Sequence, residues 1–273
     1  MKRLNWLRFC LLIVMGACLY GFALRPASGA DAPSKKVILA QARHAYYSLR
    51  NLGLLEFQST VKPTWEVALK DLIKTNPAGA QTALKTLSNL HFAMTLDPAG
   101  AVAVTHQSDI APANEQIKQG FDQIFSGMEQ AVSGFFETWS PFVLTSPFPE
   151  VESEYQLEDL GKEYRLSYKE GSANVVTTMT KDLVITDLKV TTSAFDSVMR
   201  PQFEKGPGGF VLAGYEANYI PTSGPGRTHL IVQIEYRETN GLQLPYKLNL
   251  DSVYDGAPTQ MELTFTDYQV KKR

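Results

Sequence analysis

The strongest constraint on this chain is the alternation that runs from His229 to Lys271. Leu230, Val232, Ile234 and Tyr236 share one face of a first run. Leu242, Leu244, Tyr246, Leu248 and Leu250 share one face of a second, and Met261, Leu263 and Phe265 one face of a third. A period of two places successive side chains on opposite faces, so each run reads as a strand with one buried and one wet side. Asn240-Gly241 and Asp255-Gly256 fall between the runs. Both dipeptides supply the two positive φ values of a type I′ hairpin. The expectation is a three-stranded antiparallel meander. Its strands exceed the usual length of about 5–6 residues, and long antiparallel strands coil, which gives the sheet a concave face.

That face needs a cover, and the preceding sequence offers one. From Ala113 to Trp139, residues Ile117, Phe121, Ile124, Phe125, Met128, Ala131, Val132, Phe135, Phe136 and Trp139 recur on one side at 100° per residue. Gly120, Gly127 and Gly134 recur every seven residues along one edge of this stripe. A mid-helix glycine costs roughly 1 kcal/mol against alanine. Either something packs closely there, or the helix is held loosely. Pro141, Pro147 and Pro149 are expected to end this half of the chain.

Upstream, Val37 to Leu52 reads as a helix, with Ser34 as its N-cap and Gly53 as its stop. Leu54 to Lys62 reads as a strand. Trp65 to Thr75 and Ala78 to Leu90 read as helices, and His91 to Leu96 with Ala101 to His106 as a hairpin. Downstream, Tyr155–Leu157, Tyr164–Tyr168, Val175–Thr180, Leu183–Val190 and Phe210–Ile220 read as strands. Thr191 to Glu204 fits either a strand or an irregular connection. The fold class is therefore α+β: a long, strongly curved, half-barrel-like antiparallel sheet covered on its concave side by helices. Residues 31–150 form a mainly helical part with a hairpin that packs on the sheet, and residues 151–273 form the β meander of the same domain.

Residues 1–30 read as an export signal. Lys2, Arg3 and Arg8 precede the apolar run Phe9–Leu24, and Ser28-Gly29-Ala30 places small residues before a cut at Asp31. A cleaved signal is favoured. The alternatives are an uncleaved anchor, or a lipoprotein signal at Gly16-Ala17-Cys18. Both cysteines, Cys10 and Cys18, lie in this segment, so a mature chain has no disulfide, thiol nucleophile or thiolate metal site. Residues 1–30 hold four cations and no acid. Without them 22 Lys/Arg stand against 28 Asp/Glu, a balance of −6. That acidity counts against nucleic acid and against docking on anionic headgroups by charge alone. Membrane contact is expected only transiently or through an uncleaved N-terminal segment.

Anchors for catalysis are scarce. His44, His91, His106 and His229 are dispersed and show no metal-ligand spacing, although His91 and His106 could face each other across their hairpin. There is no GxSxG around a serine. The carboxylates Glu150, Glu152, Glu154, Glu158 and Asp159 read better as a solvated edge than as a glycosidase pair. Gly206-Pro207-Gly208-Gly209 leads into strand residues, so it reads as a turn and not as a phosphate loop. No enzyme activity, cofactor or metal is expected.

The meander carries one resemblance. Gly241-Leu242-Gln243-Leu244-Pro245-Tyr246-Lys247-Leu248 and Phe265-Thr266-Asp267-Tyr268-Gln269-Val270 resemble the C-terminal strands of the periplasmic lipoprotein-carrier and outer-membrane lipoprotein-sorting superfamily. The resemblance spans about Tyr155 to Lys271. It departs at the long helical N-terminal part and lacks a match to the carriers' internal arginine. It implies an exported, periplasmic or envelope-associated protein whose curved half-barrel takes up acyl chains under a helical plug. The expected function is a non-enzymatic binding protein for a lipid or lipoprotein acyl chain. The candidate ligand-binding residues are Phe121, Phe125, Phe135, Phe136 and Trp139 of the helix with Leu244, Tyr246, Leu248 and Phe265 of the sheet. The alternatives are that these aromatics are simply core, and that the chain is a cell-envelope interaction or assembly module with no ligand.

Overall fold

The structure is a computed structural model that describes residues 34–273. The segment read as an export signal lies outside the described residues. The described chain forms α1 (Lys35–Ala45), β1 (Leu54–Pro63), α2 (Trp65–Ala68), α3 (Lys70–Thr75), α4 (Pro77–Leu87), β2 (Leu90–Leu96), β3 (Val102–Ser108) and α5 (Glu115–Val143). Nine strands follow: β4 (Tyr155–Asp159), β5 (Glu163–Glu170), β6 (Ala173–Thr180), β7 (Ile185–Thr191), β8 (Phe195–Gly206), β9 (Gly209–Pro221), β10 (Thr228–Thr239), β11 (Leu242–Tyr254) and β12 (Ala257–Lys272).

All twelve strands join one open, curved antiparallel sheet in the order β3-β2-β1-β12-β11-β10-β9-β8-β7-β6-β5-β4. The expected meander is present. Asn240 and Gly241 have φ of 53° and 75°, and Asp255 and Gly256 have 45° and 87°. Strands β10 and β11 pair from Thr239↔Leu242 back to Thr228↔Tyr254. The segment from Thr191 to Glu204 resolves as the last residue of β7, a short turn and most of β8, and Pro207-Gly208 forms the turn into β9, with Gly206 opposite Gly209. The unforeseen connection is β1 to β12, where Phe57 lies opposite Val270 and Pro63 opposite Leu263. Strands β1–β3 thus continue the sheet instead of packing on it, and one apolar core runs through both parts of the chain.

Curvature comes with bulges. The ladder slips at Glu235/Tyr236 between β10 and β11, at Gln202/Phe203 between β8 and β9, and twice between β1 and β12. Each extra residue bends its strand and increases its twist. In β12, Asp267 takes φ 56° at such a slip. The extra residue sets Phe265 against Phe136 and Tyr268 against Phe57 on the same side, which strict alternation would forbid for residues three apart.

Several boundaries differ from the sequence reading. Helix α1 keeps its Ser34 cap but stops at Ala45, not at Gly53. Tyr46 is extended at φ −100°, ψ 143°, and forms a parallel bridge with Phe210. Its hydroxyl donates to Leu183 O at 3.0 Å and accepts from Ile185 N at 2.8 Å. Burying Tyr46 and Tyr47 by long-range packing overrides local helix propensity here. The stretch Trp65–Thr75 splits into two short helices at Leu69. Leu183 sits in a turn at φ 65°, so β7 begins at Ile185. Helix α5 runs past Trp139 to Val143 with Pro141 inside its last turn.

Gly209 marks the tightest approach of α1's exit to the sheet. At φ +116°, a Cβ there would lie 2.5 Å from Ala45 O. Gly161 is also left-handed, at φ +84°, but faces open space. Gly209→Ala is therefore expected to cost about 2–4 kcal/mol, against about 1–2 kcal/mol for Gly161→Ala. Urea unfolding of the two variants checks this difference.

Candidate functional site

The candidate residues gather on α5 and on the sheet face it touches. Asn114 caps the helix by accepting from Ile117 N at 2.9 Å, and the apolar stripe follows from its 3.6-residue period. Phe121, Met128, Val132, Phe135, Phe136 and Trp139 are buried as the stripe predicts.

The stripe splits into two clusters. At the C-terminal end, the Phe136 ring lies 4.8 Å from Phe135, 5.4 Å from Trp139, 5.5 Å from Phe265 and 5.9 Å from Phe57. Most of these pairs are edge-to-face, the arrangement that aligns positive ring edge with negative ring face. Trp139 Nε1 donates to the Tyr236 hydroxyl at 2.8 Å, which donates to Leu212 O at 2.7 Å. Helix α5 is thereby tied to β10 and β9 by a polar relay inside an apolar cluster. At the N-terminal end, Phe125 is half-buried between Phe92, at 5.9 Å, and the His106 ring, stacked on it at 3.9 Å.

Of the sheet residues, Leu244, Leu248 and Phe265 are buried to within 1% exposure. Tyr246 is not placed with them. It falls at the Glu235/Tyr236 bulge and is half-buried, with the Arg237 guanidinium 3.6 Å from its ring centroid. The bulge takes it out of step with the leucines. The α5 glycine edge is open: a Cβ at Gly120, Gly127 or Gly134 would meet nothing within 4 Å. No close packing offsets their helix cost.

Clefts also lie elsewhere among the described residues. One of about 390 Å³ is lined by Arg43, His44, Arg50, Thr145, Ser146 and Glu150 among others. Its arginines are engaged by main chain. Arg43 donates to Phe148 O and Pro149 O at 2.7 and 2.6 Å and pairs with Glu150 at 2.6 Å. Arg50 donates to the carbonyls of Leu54 and Leu55 and to Pro98 O. Arg43 thus ties α1 to the loop after α5, and Arg50 ties the start of β1 to the β2–β3 turn. The second, of about 660 Å³, is lined by Ala45, Asp182, Val184, Lys205 and Phe210. Nothing in the sequence signalled the first, because most of its arginines' acceptors are carbonyls of any residue type.

His91 and His106 do not face each other. His106 pairs with Phe92, and His91 with Gln107, so they occupy opposite faces of the hairpin. His91 Nε2 instead lies 2.6 Å from Asp109. Of the carboxylate run, Glu150, Glu152, Glu158 and Asp159 meet Arg43, Lys36, Arg165 and Lys181. Among the described residues no group of three His, Cys, Asp or Glu side chains is placed to hold a metal ion, and no helix is long and apolar enough to cross a membrane. Comparison with family models, curated proteins and solved structures finds no match to this chain.

The relay and the buried phenols can be tested directly. Tyr236→Phe leaves the Trp139 indole N–H without its partner in the core and is expected to cost about 1–3 kcal/mol although no carbon is removed. Guanidinium unfolding measures it. Burial also pushes the phenols of Tyr46, Tyr168, Tyr236 and Tyr268 above their ordinary value of 10.0. A raised native pKa means the unfolded chain loses these protons first. Stability is thus complete below about pH 10 and falls as pH rises beyond it. Tyrosinate absorbance at 295 nm and circular dichroism, followed from pH 9 upward, should show these tyrosines ionising only as the fold is lost.

Proposed function

We propose that the chain is a non-enzymatic interaction or assembly module of the cell envelope, with a solid core and no resident small ligand. The observation that carries this reading is the filling of the helix–sheet interface by its own rings. Phe135, Phe136, Trp139 and Phe265 are each at most 2% exposed, Phe136 meets the other three rings, and the Trp139–Tyr236 bond fixes the helix over them. Space taken by large aromatics is not available to an acyl chain. The envelope location rests on the export-like Met1–Ala30 segment, and the acidic remainder favours a protein partner over nucleic acid.

A second reading keeps the expectation that the carrier-like resemblance implies: a lipid or lipoprotein acyl chain held between the sheet's concave face and α5, with the helix as plug or lid. One observation favours it. The face that carries Val232 and Leu248 continues through Leu230, Leu250 and Met261, which are only half-buried. The open glycine edge of α5 is compatible with a helix that lifts.

Native mass spectrometry of the exported chain, before and after delipidation, separates the two. The interaction reading expects the bare polypeptide mass in both spectra, with whole-cell crosslinking capturing a protein. A lipid adduct that disappears on delipidation would overturn it in favour of the second reading.

A further inference from the structure

The open sheet has two edges, and the chain treats them differently. Strand β4 is five residues long, ends in Glu158 and Asp159, and carries ion pairs to Arg165 and Lys181. A short, charged edge discourages pairing with another strand. Strand β3 has none of these guards. Its seven residues, Val102-Ala103-Val104-Thr105-His106-Gln107-Ser108, include no Lys, Arg, Asp, Glu or Pro.

Its hydrogen-bonding phase is fixed at both ends of the β2–β3 hairpin. Asp97 N donates to Ala101 O at 2.9 Å, and Asp109 N donates to Asn89 O at 3.0 Å. Antiparallel ladders alternate, so the odd-numbered residues of β3 face β2. The N–H and C=O groups of Val102, Val104, His106 and Ser108 point off the sheet. Strand β3 is the terminal strand, and among the described residues no main-chain hydrogen bond outside the β2–β3 hairpin reaches these four. Helix α5 lies against this strand, with Phe125 on His106. Ile117 at the start of α5 and Ile110 just after β3 are 38% and 37% exposed. An edge strand with unpaired N–H and C=O groups is the arrangement to which an extended peptide adds as a further strand, main-chain hydrogen bonds giving affinity and alternate side chains specificity.

We propose that the β3 edge binds an extended, uncharged segment of a partner protein by strand addition, alternate apolar side chains of that segment packing beside Ile117. The segment is uncharged because β3 carries no Lys, Arg, Asp or Glu to pair with a charge, Glu115 and Lys118 on either side of Ile117 pair with each other, and leaving a charge unpaired on burial is costly. This assignment rests on the interaction-module reading above and locates its surface.

The test uses the full chain and a capped decapeptide of alternating valine and threonine. Hydrogen exchange by NMR at the Val102, Val104 and His106 amides is expected to slow by about tenfold or more when the edge is paired. The β4 amides should be unaffected. The same peptide N-methylated at alternate residues, made in both phases, should lose the effect in one phase only, since only one set of its amides meets β3. Unchanged exchange at excess peptide, or equal slowing at β4, would overturn the proposal. So would β3 amides already slowed in a chain that light scattering finds dimeric, because a second copy would then hold the edge. A lipid adduct in the native mass spectrum together with β3 protection would retire the solid-core reading and leave the edge standing. A lipid-free chain with no protection would retire the edge alone.

Discussion

The pairing of β1 with β12 is the contact on which the rest of the molecule depends. It attaches β2 and β3 to the sheet, and with them the short helices α2–α4. It also carries Phe57 to Phe136 and Tyr268, so the core of the C-terminal meander is completed by a residue from the opposite end of the chain. Helix α5 then has a surface to lie on. Its C-terminal half is fixed by rings and by the Trp139–Tyr236–Leu212 relay. Its N-terminal half rests on the β2–β3 hairpin through Phe92 and His106. Without the β1–β12 ladder the first of these supports would lose one wall and the second would lose its attachment.

Much of the fold was legible because its signals are local. Alternation in β10–β12 and the Asn-Gly and Asp-Gly turns are properties of a few adjacent residues, and the structure forms them where the chain writes them. The aromatic period of α5 is equally local. What was not legible depends on contacts between distant segments. Tyr46 leaves its helix because Phe210, Leu183 and Ile185 receive it. Leu183 adopts a left-handed φ that no apolar residue advertises. The partners β1 and β12 share no feature that marks them for each other.

The same division applies to the candidate site. Phe121, Phe135, Phe136 and Trp139 could be read from periodicity, and Leu244, Leu248 and Phe265 from alternation. Tyr246 could not be kept, because a single extra residue at a bulge shifts which side chains share a face, and a bulge leaves no reliable trace in sequence. The resemblance segment Phe265-Thr266-Asp267-Tyr268 acquires a physical meaning here. Its aspartate takes the left-handed conformation that a bulge needs, and the two aromatics flanking the step both reach the core.

The β1–β12 ladder also governs the order in which the chain can assemble. Its partners are some two hundred residues apart, from Leu54↔Lys272 to Pro63↔Leu263. A polypeptide is made from its N-terminus, so β1 emerges well before its partner, which follows some two hundred residues later. Until then β1–β3 stand as a small sheet with a bare border on either side, and Phe57 has no cluster to enter. Closure of so long a loop is entropically expensive and slow. For the whole of that interval the newborn chain offers an unpaired β1 border to its surroundings, and the sixteen residues of β12 act as the latch that closes it.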